Sequence, residues 1–143
     1  MRLTSITANL HSLEGRVTGK PLRLLLNFDD GQSLRLAVAG DGERMIADGQ
    51  SLDGPFDMGE CGAVEIGDVT QALGAHLRGA DVLDVRTLAM AENRVGVQLV
   101  LVAGDAFYIW VDGDELYWGE EAALISHDWL DGVAPMPAEP VGV

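Results

Sequence analysis

Two stretches of the chain alternate apolar and polar residues with period two on either side of a short glycine-containing turn. The first runs Leu24-x-Leu26-x-Phe28-x-x-Gly31-x-x-Leu34-x-Leu36-x-Val38-x-Gly40-Asp41. The second runs Val97-x-Leu99-x-Leu101-x-x-Gly104-x-x-Phe107-x-Ile109-x-Val111-x-Gly113-Asp114, an offset of 73 residues, and keeps every apolar position and every glycine of the first. Period two puts alternate side chains on one face of a strand. Each stretch therefore predicts an antiparallel hairpin with one buried face, Leu22–Phe28 with Ser33–Ala39 and Gly96–Val102 with Ala106–Asp112. Internal duplication and shared hairpin grammar both account for the likeness.

Further strands are predicted ahead of each hairpin, at Leu3–Leu10 and Val82–Met90, with Gly15 to Gly19 and Glu92 to Gly96 as the connecting turns. Two three-stranded meanders result. Between them Gly40–Gly67 holds seven glycines and Pro55, and reads as loop with short strands at Arg44–Ala47 and Ala63–Ile66. One helix is expected from an Asp68 N-cap through Arg78 to a stop at Gly79, with Val69, Ala72, Leu73, His76 and Leu77 at helical spacing. Gly74 weakens its middle by about 1 kcal/mol relative to Ala and can split it into two turns. A second short helix falls at Glu120–Ser126, and residues 135–143 read as an extended Pro-rich tail. The fold class is α+β, mostly β: the two meanders form a twisted sheet, sandwich or half-barrel, as one domain over residues 1–134.

Composition narrows the function classes. The chain has 143 residues, 48% of them hydrophobic, and a formal charge of −14. From Val95 onward there are nine acidic side chains and no Lys or Arg. Phosphate backbones and anionic lipid would repel such a chain, so neither nucleic acid nor membrane is an expected partner, and a basic protein is. Cys61 is the sole cysteine, and no run of about 18 apolar residues exists; both fit a cytoplasmic protein.

Candidate chemistry is sparse. Gly15-Arg-Val-Thr-Gly-Lys-Pro21 has its glycines one residue too close for a phosphate loop, and Pro21 stands where Ser or Thr would hold magnesium. In Asp112-Gly-Asp-Glu115 a calcium loop would put Tyr117 at its sixth position and Ala123 at its twelfth, so neither the turn glycine nor the closing carboxylate is there. His11, His76 and His127 lie far apart without ligand spacing. His76 reads as a packed residue and His127 as a surface one. Ser126-His127-Asp128 are sequence neighbours and cannot form a nucleophilic relay. Carboxylates at Asp57, Glu60 and Glu65 work against a reactive Cys61 thiolate. No catalytic group, cofactor or metal is expected, and the chain does not read as an enzyme.

What stands out is an aromatic, acidic segment: six of the eight aromatic residues lie between Phe107 and Trp129. On the strand Ala106–Asp112, Phe107, Ile109 and Val111 share one face and Tyr108 and Trp110 the other, so both faces are apolar. Either Tyr108 and Trp110 form an exposed patch, or residues around Trp129-Leu130 fold back to cover them. In the exposed reading Tyr108, Trp110, Tyr117 and Trp118 are anchors for a partner, and Asp112, Asp114, Glu115, Glu120 and Glu121 are steering charges.

The run Leu77-x-Gly79-x-x-Val82-x-x-Val85, followed by a strand, a Gly-Asp turn and Tyr108-Ile-Trp-Val-Asp-Gly-Asp-Glu-Leu-Tyr117, resembles small uncharacterised bacterial domains, some of which look like immunity proteins of polymorphic or contact-delivered toxin systems. The resemblance covers approximately residues 68–121. It implies a non-catalytic acidic inhibitor that binds one cognate toxin in the cytosol. The alternative is a small self-associating assembly module, a homo-oligomer joined through sheet edges and Tyr108/Trp110.

Overall fold

The computed structural model describes residues 1–129 and 132–141. Leu130 and the last two residues of the predicted tail lie outside the described residues. In chain order the strands are β1 (Arg2–Leu13), β2 (Arg16–Val17), β3 (Arg23–Phe28), β4 (Ser33–Val38), β5 (Met45–Asp48), β6 (Phe56–Asp57) and β7 (Ala63–Asp68). Helix α1 (Thr70–Leu73) and a 3-10 turn at Ala75–Leu77 follow, then β8 (Ala80–Met90), β9 (Asn93–Leu101), β10 (Ala106–Asp112), β11 (Glu115–Gly119), helix α2 (Glu121–Ser126) and β12 (Met136–Pro140). The protein is mostly β, with two short helices beside a twisted, open antiparallel sheet ordered β11-β10-β9-β8-β1-β3-β4-β5. No helix among the described residues is long and apolar enough to cross a membrane.

Both predicted hairpins are present, and they share one register. Leu24 faces Leu36 and Leu26 faces Leu34, while Val97 faces Ile109 and Leu99 faces Phe107. Each meander has four strands where three were expected, because β5 and β11 extend them. The second extension follows from a two-residue turn: Gly113 and Asp114 have φ of 55° and 68°, the left-handed pair that a tight hairpin requires, and Asp112 faces Glu115 across it. The turn expected at Glu92 to Gly96 is shorter than that. Met90 faces Asn93, so only Ala91 and Glu92 form the loop, and Gly96 lies within β9.

The meanders meet through β1 and β8, paired at Arg2 with Asp81 and Leu3 with Ala80. Farther along the same edge of β1, Thr7 to Ser12 pair with β7. Curling of the sheet brings the inner faces together over a single core, in which Leu24, Leu26, Leu34 and Leu36 join Val97, Leu99, Phe107 and Ile109. The turns after β4 and β10 also touch, Asp114 N donating to Gly42 O at 3.0 Å.

Between β7 and β8 the expected single helix is broken at Gly74, as the glycine foreshadowed. Asp68 closes β7 and does not occupy the N-cap position itself, yet its carboxylate accepts from Thr70 N at 2.9 Å and from Thr70 Oγ1 at 2.7 Å. Thr70 is fully buried and accepts Ile6 N at 2.8 Å, which bolts the helix to β1. The Pro-rich tail is extended and adds a strand: Met136 and Pro137 face Ala89 and Leu88 of β8, and Val141 packs on the core.

Candidate functional site

Strand β10 carries the aromatic residues and is covered on both sides. Phe107, Ile109 and Val111 enter the main core, whereas Tyr108 and Trp110 enter a second cluster with Leu88, Val95, Leu124 and Trp129. With relative exposures of 5% for Tyr108 and 2% for Trp110, the two expected anchors have no surface to offer a partner. The cause is α2 and the residues after it, which lay Leu124 and Trp129 over the outer face; of the two readings open at this strand, the covered one holds. Gly96 faces Trp110 on the neighbouring strand, and a Cβ there would overlap Ile109 O and lie 2.9 Å from Trp110 Cα, so the missing side chain is what lets the β10 backbone approach β9 this closely. Tyr108 OH accepts from Gln98 Nε2 at 3.1 Å, and Trp129 Nε1 donates to Leu124 O at 2.8 Å. Trp110 Nε1 is buried without a hydrogen-bond partner among the described residues.

His127, expected at the surface, pins this cover. Its Nε2 lies 2.8 Å from Asp112 Oδ2, and its side chain is only 13% exposed. Ring centroids of Tyr117 and Trp129 each lie 4.7 Å from that of the imidazole, and Trp110 lies 5.6 Å away. Three aromatic rings and one carboxylate thus enclose a single histidine.

The other expected site residues divide. Asp114, Glu115, Glu120 and Glu121 are exposed, and Asp112, Tyr117 and Trp118 are half-buried. Trp118 leans on the main core and Tyr117 on the second one, so each shows only an edge. Asp114 is also engaged internally: its carboxylate packs against Gly42 so closely that a Cβ on Gly42 would overlap it. Lys20, which no sequence pattern singles out, joins this face. Its ammonium sits 3.3 Å from the centroid of Tyr117 and 4.0 Å from Glu115 Oε2, a cation held between a π face and a carboxylate. Burial lowers the Lys20 pKa against the opposing pull of Glu115. The Tyr117 phenol is pushed up, first by burial and then by the charges of Glu115 and Asp112.

Beside this face a groove of about 520 Å³ opens between the turn after β4, the β8–β9 turn, the end of β10 and Trp129. Its walls include Glu43, Asp112, Met90 and Val95. Asp41, also in the wall, is held by its own turn: it accepts from Glu43 N and Arg44 N, and from Arg44 Nε at 2.6 Å. Those bonds, the one from Glu43 N foremost, hold its carboxyl below the usual range. Among the described residues no three His, Cys, Asp or Glu side chains gather as a metal-binding group. Comparison with protein-family models, curated proteins and solved structures returns no match.

Proposed function

We propose that this chain is a non-catalytic acidic binding protein of immunity or antitoxin type, which occludes a basic cognate toxin in the cytosol. The observation that carries the reading is the charge of the β10–β11 end. At the β10–β11 turn Asp114 and Glu115 expose their carboxylates, Glu120 and Glu121 add theirs at the opposite end of β11, and the chain has no Lys or Arg beyond Arg94, although Lys20 stands beside Glu115. Such a field accelerates encounter with a positive surface and gives register to the complex. Lys20 shows in miniature what the region accepts, since its ammonium rests on Tyr117 beside Glu115. With Tyr108 and Trp110 buried, the contact area comes from the edges of Tyr117 and Trp118 and from the acidic rim.

The test is an association rate. A partner captured from cell extract, or sought first among the products of neighbouring reading frames, is mixed with the wild type and with a triple variant, Asp112→Lys, Asp114→Lys, Glu115→Lys. The variant is expected to associate about tenfold or more slowly at low salt, with the gap closing as salt screens the field. Equal rates at low salt would reject this surface. Sedimentation separates the alternative: a homo-oligomer that buries the acidic face would favour the self-associating module.

A further inference from the structure

We propose that the groove between Glu43 and Trp129 is the docking groove for an extended basic segment of the partner. A Lys or Arg side chain lies between the carboxylates of Glu43 and Asp112, and a neighbouring apolar side chain packs against the half-buried Met90, behind which Val95 and Trp129 close the groove. This rests on the basic-partner reading and adds to it the place and the mode of binding.

The size fits a segment, because about 520 Å³ lies within the range of a small-ligand pocket and holds a few side chains, not a domain surface. Charge selects the sign of the occupant. Arg44, the basic residue of the wall, is spent on Asp41, to which its Nε is bonded at 2.6 Å. Asp112 gives Oδ2 to His127, which leaves Oδ1 free, and the Glu43 side chain has no salt-bridge partner among the described residues. An anionic segment would meet these carboxylates at close range. A purely apolar one would strip them of water without replacing the lost hydrogen bonds. A cationic side chain satisfies both, and the aliphatic stem that carries it suits the apolar wall.

The apolar wall is also firm. Val95 is 7% exposed and Trp129 8%, and the Trp129 indole N–H is committed to Leu124 O. The turn bearing Glu43 is tied to the β10–β11 turn through Asp114 N and Gly42 O. A groove built from tied turns binds without first being ordered, which lowers the cost of binding.

The experiment uses the whole protein, isotope-labelled, and two capped six-residue probes, one alternating Lys and Leu and the other alternating Glu and Leu. The Lys/Leu probe is expected to shift the Met90 and Val95 methyl resonances and the Trp129 indole resonance saturably, and the Glu/Leu probe to leave them unmoved. Glu43→Lys should weaken Lys/Leu binding about fivefold, whereas Glu65→Lys, exposed on β7 and outside the groove, should change it less than twofold. Because Glu43 is exposed and its side chain anchors nothing, that variant keeps its fold. Shifts confined to Glu115, Glu120 and Glu121, insensitive to Glu43→Lys, would overturn the groove and leave the basic-partner reading standing. No shift anywhere at low salt would overturn both.

Discussion

His127 joins pieces that the chain keeps apart, because its imidazole bonds Asp112 at the end of β10 and fills the space between Tyr117 on β11 and Trp129 beyond α2. Truncation to Ala removes a hydrogen bond and leaves a void among three rings. His127→Ala is expected to cost about 2 kcal/mol, measured by urea unfolding, with a red shift in tryptophan emission as Trp129 loosens. Asp112→Asn keeps an oxygen acceptor and the packing, so about 1 kcal/mol is expected there. Trp110 offers a second contrast. Its ring is almost wholly buried, but its indole N–H has no partner among the described residues, so the nitrogen is a burden that the ring area outweighs. Trp110→Ala should therefore lose about 4 kcal/mol, and Trp110→Phe, which deletes the orphan N–H, clearly less; the same urea titration compares them.

Elements form where local pattern and long-range packing agree, and the junction of β7 and α1 shows how few atoms hold them. Asp68 accepts from Thr70 and from Arg78, Nη2 at 2.9 Å, and these bonds, Arg78 first, lower its pKa to about 2. A carboxylate with a depressed folded pKa contributes stability above its unfolded value near 4, and loses it as pH falls through about 2. Because the Asp68 side chain is 45% exposed, solvent screening holds the contribution to about 1 kcal/mol or less. Asp68→Asn should accordingly match the wild type's urea midpoint more closely at pH 2 than at pH 5; an equal deficit at both would remove the linkage. The hairpins and the break at Gly74 were legible in the sequence because period-two alternation and a mid-helix glycine act locally. Tyr108 and Trp110 were not decidable there: an apolar outer face looks the same whether solvent or another element lies over it, and the cover comes from Leu124 and Trp129, well beyond the strand. Nor could the groove be read, since Glu43, Met90, Asp112 and Trp129 belong to four separate segments brought together only by the curl of the sheet.

At the scale of the molecule, two meanders of matching hairpin register close on one core, and their equivalent Gly-Asp turns touch at Gly42 and Asp114. Direct pairing between the halves is slight, two residue pairs of β1 and β8, so apolar burial must hold them together. Against that burial works the formal charge of −14, concentrated in the last third of the chain, where from Val95 onward nine acidic side chains meet no Lys or Arg. Self-repulsion of this kind destabilises the compact state over distances that salt controls, with a Debye length of about 30 Å at 0.01 M and about 8 Å at 0.15 M. Raising NaCl across that interval should increase Tm by about 3 °C, corresponding to roughly 1 kcal/mol for a chain of this size, as followed by differential scanning calorimetry. Ion pairs predict the opposite sign, but those present are mostly exposed and weak; Arg35 with Asp48 at 2.8 Å is the best sheltered. The triple Lys variant at Asp112, Asp114 and Glu115 separates the two effects. Three changes from −1 to +1 take its formal charge from −14 to −8, so its Tm should respond less to salt than that of the wild type, whereas an equal or larger response would place the destabilising field elsewhere on the molecule.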